Sequence, residues 1–282
     1  MTLNLFRNRR LIIGTRHHKD QVLAPLLEAN LGVHTEVPTE FDTDAWGTFS
    51  GEVERKLAPL DAAREKCLKA LQETGCDLGV ASEGSFGPHP QLIFSPANEE
   101  FLIFIDAKNN LEISAREIST QTNFKGAELK NKEALWAFAD EALFPSHALI
   151  LRKAKGAKEP IIKGITDKIT LEKSFEELKS LGGNVYAETD MRALYNPTRM
   201  AVIKAAGERL IAKISTVCPR CSRPGFAVTS LKKGLPCSLC GFPTESIRSQ
   251  IHQCQGCHYE QEIEFPNQKH EEDPMFCPYC NP

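Results

Sequence analysis

Eight of the chain's ten cysteines stand in four Cys-x-x-Cys pairs within its last sixty-five residues. They are Cys218 with Cys221, Cys237 with Cys240, Cys254 with Cys257, and Cys277 with Cys280. Two intervening residues let both thiols of a tight turn face one point, and a tetrahedral Zn²⁺ takes four such ligands. Two pairs therefore make one closed structural site, and four pairs make two. The simplest assignment is sequential. Fifteen residues separate Cys221 from Cys237 and nineteen separate Cys257 from Cys277. Both gaps suit a zinc ribbon, two knuckles joined by a short hairpin, so the expectation is two tandem four-cysteine ribbons over 216–282.

Disulfides are the competing reading, and the compartment argues against them. Met1 to Arg10 is polar, carries three arginines and lacks an apolar stretch of signal-peptide length. No apolar run of membrane-spanning length occurs, so no membrane association is expected. A cytoplasmic location with reduced thiols follows as the expectation. Cys67 lies on a helical pattern and reads as a small buried apolar residue.

Three polar clusters in the remaining sequence could carry chemistry. Gly14-Thr15-Arg16-His17-His18-Lys19 follows an apolar run and precedes a helical pattern. A strand-to-helix turn of this kind presents backbone N–H groups and the positive helix end to an anion such as phosphate. Thr15 and Lys19 would add a hydroxyl and a charge. Ser82-Glu83-Gly84-Ser85-Phe86-Gly87 follows the apolar strand Leu78 to Ala81. Glu83 would project from the strand's C-terminal end, where open α/β sheets bind ligands, and a carboxylate there could hold Mg²⁺. Glu52 or Glu54 could supply a second carboxylate. The third cluster is Glu188-Thr189-Asp190-Met191-Arg192 with Asn196-Pro197-Thr198-Arg199. Arg192 and Arg199 could clamp phosphate. Equally, Asn196 could cap a helix begun by Pro197 while the charges pair among themselves.

The elements that must position these clusters alternate. Arg10 to Gly14 and Val33 to Val37 read as strands around a helix from Lys19 to Asn30. Pro59 opens a second helix with Ala62, Ala63, Cys67, Ala70 and Leu71 inward, ended by Gly75. Asp77 to Ser82 is a strand and Glu83 to Pro90 a loop. Gln91 to Phe94, Phe101 to Asp106 and Leu111 to Thr120 read as further strands. Helices follow over Lys132 to Ala142, Leu171 to Leu181 and Pro197 to Lys213, with strands at His147 to Arg152 and Val185 to Glu188. This order predicts an α/β body over 1–215, with a mixed central sheet flanked by helices.

Charge narrows the partners. The chain has 34 Lys and Arg against 37 Asp and Glu. From Thr216 onward there are six basic and seven acidic residues, so the tail lacks the basic excess that neutralises nucleic-acid phosphates. Phe226, Phe242, Tyr259, Phe265 and Phe276 could stack on bases, or could cover the minimal core of small ribbons.

The order Gly14-Thr15-x-x-x-Lys19, helix, Ala63-Arg64-x-x-Cys67-x-x-Ala70, then Asp77 to Ser82 and Glu83-Gly84 resembles the inosine/xanthosine triphosphate pyrophosphatase superfamily, which includes the Maf-like proteins. The resemblance covers roughly residues 10 to 120. It implies that Thr15 and Lys19 contact substrate phosphate and that Glu83 binds a metal. Arg16-His17-His18 departs from the Asn-Pro of that family's phosphate turn. The whole chain also resembles a family of uncharacterised bacterial proteins with the Glu188-to-Arg199 segment and a double zinc-ribbon tail.

Two functions follow as expectations. One is a Mg²⁺-dependent hydrolase of a nucleotide or another phosphorylated small molecule. In it Glu83 and Lys19 are catalytic, Thr15, Lys19, Arg64, Arg192 and Arg199 bind substrate, and Glu83, Glu52 and Glu54 hold the metal. The other is a zinc-ribbon module that binds protein or RNA on a silent α/β scaffold.

Overall fold

The computed structural model describes residues 5–15, 17–39, 41 and 57–282. Glu52 and Glu54, and most of the expected loop from Phe41 to Gly51, lie outside the described residues. The chain divides into two compact units, a body from Phe6–Ile211 and a tail containing Ala212–Pro282.

The body holds two sheets. The first has the order β2-β1-β3-β4-β5, formed by β1 (Arg10–Gly14), β2 (His34–Glu36), β3 (Leu78–Pro88), β4 (Pro96–Asp106) and β5 (Leu111–Ser119). β1 pairs in parallel with β2 and β3, while β3, β4 and β5 form an antiparallel meander. The mixed character expected from sequence is thus present. Two helices make the parallel crossovers. α1 (Asp20–Leu31) joins β1 to β2 and ends on Gly32, whose positive φ of 65° suits the left-handed helix stop. α2 (Pro59–Thr74) joins β2 to β3.

α2 packs Ala63, Cys67 and Leu71 against Ala81, Ile103 and Ile105 on one face of this sheet. Gly79 is required there, because a Cβ would sit 2.9 Å from Leu71 and 3.0 Å from the Cys67 sulfur. Burial pushes the Cys67 thiol up to about 12, so it behaves as the apolar residue its helical position predicts. α5 (Pro197–Ser215) serves the opposite face. Its Arg199 and Arg209 reach Glu100 and Glu117, and Gly207 lets it approach Leu23 and Leu26 of α1.

The second sheet is antiparallel, in the order β6-β9-β7-β8. It comprises β6 (Gly126–Leu129), β7 (Leu149–Arg152), β8 (Ile161–Ile165) and β9 (Val185–Thr189), with α3 (Lys132–Glu141) and α4 (Lys168–Ser180) between them in sequence. Its core joins Leu135 and Phe138 of α3 and Leu171 and Phe175 of α4 to Leu149, Leu151, Val185 and Ala187. Both helices carry side-chain N-caps, Asn131 on the N–H of Ala134 and Asp167 on the N–H of Thr170.

Two expectations are corrected. Glu83 to Pro90 is mostly strand rather than loop, because β3 runs on to Pro88 in continuous register with β4. The turn falls instead at residues 89–95, so Gln91 to Phe94 is not a strand; His89 organises it by accepting the N–H groups of Gln91 and Leu92. Apolar Leu92, Ile93 and Phe94 mimic a strand in sequence yet are 58%, 64% and 97% exposed.

The tail is a three-stranded antiparallel sheet, β10 (Ala227–Lys233), β11 (Ile247–Gln253) and β12 (Glu260–Glu264), with β11 central. None of the described helices is long and apolar enough to cross a membrane.

Candidate functional site

The eight tail cysteines form two clusters, and the pairing is interleaved. Cys218, Cys221, Cys254 and Cys257 meet at one point, and Cys237, Cys240, Cys277 and Cys280 at another. Sequential pairing is therefore corrected, and the reason is topological. A single strand, not a hairpin, connects each knuckle to the next. A seven-residue strand spans about 23 Å, so consecutive knuckles lie at opposite ends of the sheet. β10 leads away from the first knuckle, β11 returns to place the third beside it, and β12 leads out again.

The knuckles share one construction. The first cysteine's carbonyl accepts an N–H from the fourth residue on: Ser222, Gly241, His258 or Asn281. Three of these positions have positive φ: Ser222 (61°), Gly241 (73°) and His258 (57°). The sulfurs meet at tetrahedral spacing. Cys218 to Cys257 is 3.6 Å, Cys221 to Cys254 is 3.5 Å, Cys237 to Cys280 is 3.9 Å and Cys240 to Cys277 is 3.7 Å. A Zn²⁺ with Zn–S bonds of about 2.3 Å requires a sulfur–sulfur edge of about 3.8 Å. The donor set therefore fits two Zn²⁺ ions, each in a closed site without an open coordination position. Burial pushes the Cys254 thiol up, but the N–H groups of Cys257 and Gly256 outweigh it and bring the thiol down to about 7. Cys277 is brought to the same value by the N–H groups of Cys280 and Tyr279. Cys221 and Cys280 go the other way, pushed up to about 12 where hydrogen bonds from the other sulfurs of their clusters and burial prevail, so the turns favour the thiolate at Cys254 and Cys277 and not at these two.

The body's candidate residues converge where β1 ends. Gly14 opposite Ala81 is the last rung between β1 and β3, so Ser82 and Glu83 are the first β3 residues beyond the parallel strand. Lys19, immediately before α1, turns into this gap. Its Nζ donates to the Ser82 Oγ at 2.8 Å and to the Ser82 carbonyl at 3.3 Å. Glu83 points to the other face and takes Lys66 of α2 at 2.5 Å. Arg199, with no exposed side-chain surface, donates through Nε to Glu100 at 2.7 Å and through Nη1 to the Met191 carbonyl. Its guanidinium stands 5.1 Å from the Phe86 ring centre. Gly84 makes room for this pair, since a Cβ would lie 2.4 Å from Arg199 Nη2.

Lys19, Lys66, Glu83, Glu100 and Arg199 are all buried and form one electrostatic cluster. Burial pushes the Lys19 ammonium down to about 7. Arg199 and Lys66 push the same way, against Glu100 and Glu83. Thr15 is buried beside the same turn, and its Oγ1 accepts the N–H of His17. Along the sheet face that carries Glu100, Asn98 is 1% exposed and neither amide atom has a hydrogen-bond partner among the described residues.

Other predicted residues are engaged elsewhere. Arg64 makes a two-bonded pair with Glu112, both partners about 40% exposed. Arg192 grips Asp190 at 2.5 Å and stands 4.6 Å from the Tyr195 ring centre. Asn196 does cap α5, accepting the N–H of Arg199. The geometry does not support a Mg²⁺ site at Glu83. Lys66 holds its carboxylate, and among the described residues the two four-cysteine groups are the sole clusters of metal-ligating side chains.

Sequence reasoning missed Lys66 and Glu100. Lys66 carried a signal, since it lies three residues after Ala63 and four before Ala70, a charge on the apolar stripe of α2. Glu100 alternates with Leu102 and Phe104 on a face that is otherwise buried.

The fold and centres define an α/β protein with a tail built on two four-cysteine clusters that could each hold a metal ion. The chain belongs to the family described as "Domain of unknown function (DUF6671)", which matches residues 66–282. That span holds Lys66, Glu83, Glu100, Arg199 and all eight cysteines, while Thr15 and Lys19 precede it. Among solved structures the chain is similar to protein VC0702 from Vibrio cholerae, at 9% identity and a TM-score of 0.33, over 73% of this chain and 94% of that one. No curated protein matches.

Proposed function

We propose that the body hydrolyses a phosphorylated small molecule at the end of β1, with a nucleotide as the class that its resemblance to the inosine/xanthosine triphosphate pyrophosphatases favours. One observation carries this reading. Three buried cations, Lys19, Lys66 and Arg199, surround two buried carboxylates, Glu83 and Glu100. Among the described residues, and with Lys19 protonated, the cluster has one more positive than negative charge, and a phosphate group would balance it. Lys19, brought near neutrality, and Glu83 are the groups suited to move protons. Thr15 adds a hydroxyl to the phosphate turn, and the unpartnered amide of Asn98 offers a donor and an acceptor to the rest of the ligand. Arg64 is paired with Glu112 and Arg192 with Asp190, so neither is assigned a role here. The test is release of phosphate or pyrophosphate from a panel of ordinary and modified nucleoside triphosphates and sugar phosphates, with and without Mg²⁺. Turnover is expected to fall at least about 100-fold in Glu83→Gln, the scale of a lost general acid or base. Silence across the panel, or turnover indifferent to Glu83, rejects the reading.

The second reading concerns the tail and rests on a difference between its centres. Phe226 is buried against the first centre and stacks on Tyr259 at 6.0 Å. Around the second, Leu239 is 74% exposed, Tyr279 72%, Met275 61% and Phe276 58%, and Phe242 stacks on Tyr279 at 5.9 Å. The tail lacks a basic excess, which favours a protein partner over RNA. Retention of the same partner by the full chain and by a Leu239→Ser, Tyr279→Ser variant with two bound zinc ions would reject this role.

A further inference from the structure

We propose that Ser82 is a nucleophile and Lys19 its general base, forming a Ser–Lys dyad that attacks the phosphoryl group of a bound ester or anhydride. The proposal rests on the hydrolase reading for the substrate class only; the dyad itself stands on geometry.

Lys19 Nζ lies 2.8 Å from Ser82 Oγ, and both residues are buried. Backbone register holds them there. Ser82 follows the last rung of the β1–β3 pairing, and Lys19 enters α1 from the end of β1, so the side chain lies across the gap that β1 vacates. A buried lysine kept for stability would pair with a carboxylate. Among the described residues Lys19 has no carboxylate at ion-pair distance, and its hydrogen bonds go to Ser82 alone. The two nearby acids are held by other cations, Glu83 by Lys66 and Glu100 by Arg199.

This arrangement has the features of an activated nucleophile: a hydroxyl within hydrogen-bond reach of a base that is neutral in part at neutral pH. The charged groups around Lys19 are Arg199 from α5, Lys66 from α2, Glu83 from β3 and Glu100 from β4. Burial and the two cations hold Lys19 near 7, and the two acids keep it from falling further. The same cations stabilise negative charge that develops on attack. In the first step Ser82 Oγ bonds to phosphorus, its proton passes to Lys19 Nζ, and the leaving oxygen departs with that proton. In the second, water attacks phosphorus, gives its proton to Lys19, and the Oγ–P bond breaks as Ser82 regains a proton. No oxidant or further reactant is needed.

A small fluorophosphonate tests the dyad without requiring turnover. Incubation with the full chain in its zinc-loaded form, followed by peptide mass analysis, should place one adduct on Ser82. The labelling rate should rise with pH through a midpoint near 7. Lys19→Arg keeps the charge but cannot act as base, and should slow labelling at least 100-fold at pH 7; Lys19→Met does the same if the larger side chain disturbs folding. Absence of a Ser82 adduct at pH 8.5, or labelling of both Lys19 variants within threefold of the parent rate, overturns the proposal. Labelled Ser82 with a silent substrate panel retains the dyad and removes the hydrolase reading. Phosphate release that survives Ser82→Ala does the reverse.

Discussion

Chelation of zinc should unfold Ala212–Pro282 and leave Phe6–Ile211 folded. The tail has little else to hold it. Apart from four ligand cysteines and Ile214 on the end of α5, its buried apolar side chains among the described residues are Pro224, Phe226 and Leu235. β12 has no buried residue, and β10 has none below intermediate exposure. A three-stranded sheet with so small a core does not fold without a staple. Structural Zn²⁺ contributes about 10–16 kcal/mol of apparent binding free energy per site near pH 7, and where no site preexists that energy is folding energy. Loss of protection from hydrogen exchange should therefore be confined to the tail after chelation. Paired Cys→Ser substitutions test the interleaving directly. Cys218→Ser with Cys254→Ser damages one centre and should leave one zinc per chain. Cys218→Ser with Cys237→Ser damages both and should leave none. Sequential pairing gives the opposite result for the two double variants, so zinc content by mass spectrometry decides between them.

The four cysteine pairs were legible from sequence because ligand type and two-residue spacing are local. Their partners were not, because pairing depends on where strands carry the knuckles. The linkers do hold the answer: Phe226 to Lys233 is one alternating run without a central turn signal, which makes a strand and not a hairpin. In the body, helices with clear punctuation came out within a few residues, including α2 between Pro59 and Gly75. β6 and β8 were missed. Four or five residues, interrupted in β8 by Gly164 at a φ of 69°, give too short a pattern to detect. The convergence of Lys19 and Glu83 with Arg199 was not legible, and Arg192, the other arginine of the same segment, pairs with Asp190 instead. Arg199 comes from a helix more than a hundred residues after Glu83, and no local pattern records that it packs on the sheet face that carries Glu100.

Arg199→Met should destabilise the body by about 3–5 kcal/mol, the cost of leaving a buried charge without its partner. Arg199 and Glu100 both have fully buried side chains, and Nε to Oε1 is 2.7 Å. The guanidinium also joins parts of the body distant in sequence. It reaches Glu100 in the first sheet and the Met191 carbonyl just after β9 of the second, and its own backbone N–H is received by Asn196. Asn196 in turn donates to Asn123, which donates to the Ala142 carbonyl after α3. Removing the arginine leaves a fully buried carboxylate beside the Phe86 ring and under a glycine that admits close approach. The variant must open the face between β4 and α5 to hydrate that charge. Arg199→Met combined with Glu100→Gln removes the stranded charge and should be more stable than Arg199→Met alone, by urea unfolding at neutral pH. Equal losses in the single and double variants would mean that the guanidinium's bonds to Met191 and its packing, rather than the ion pair, hold the two sheets to a common helix.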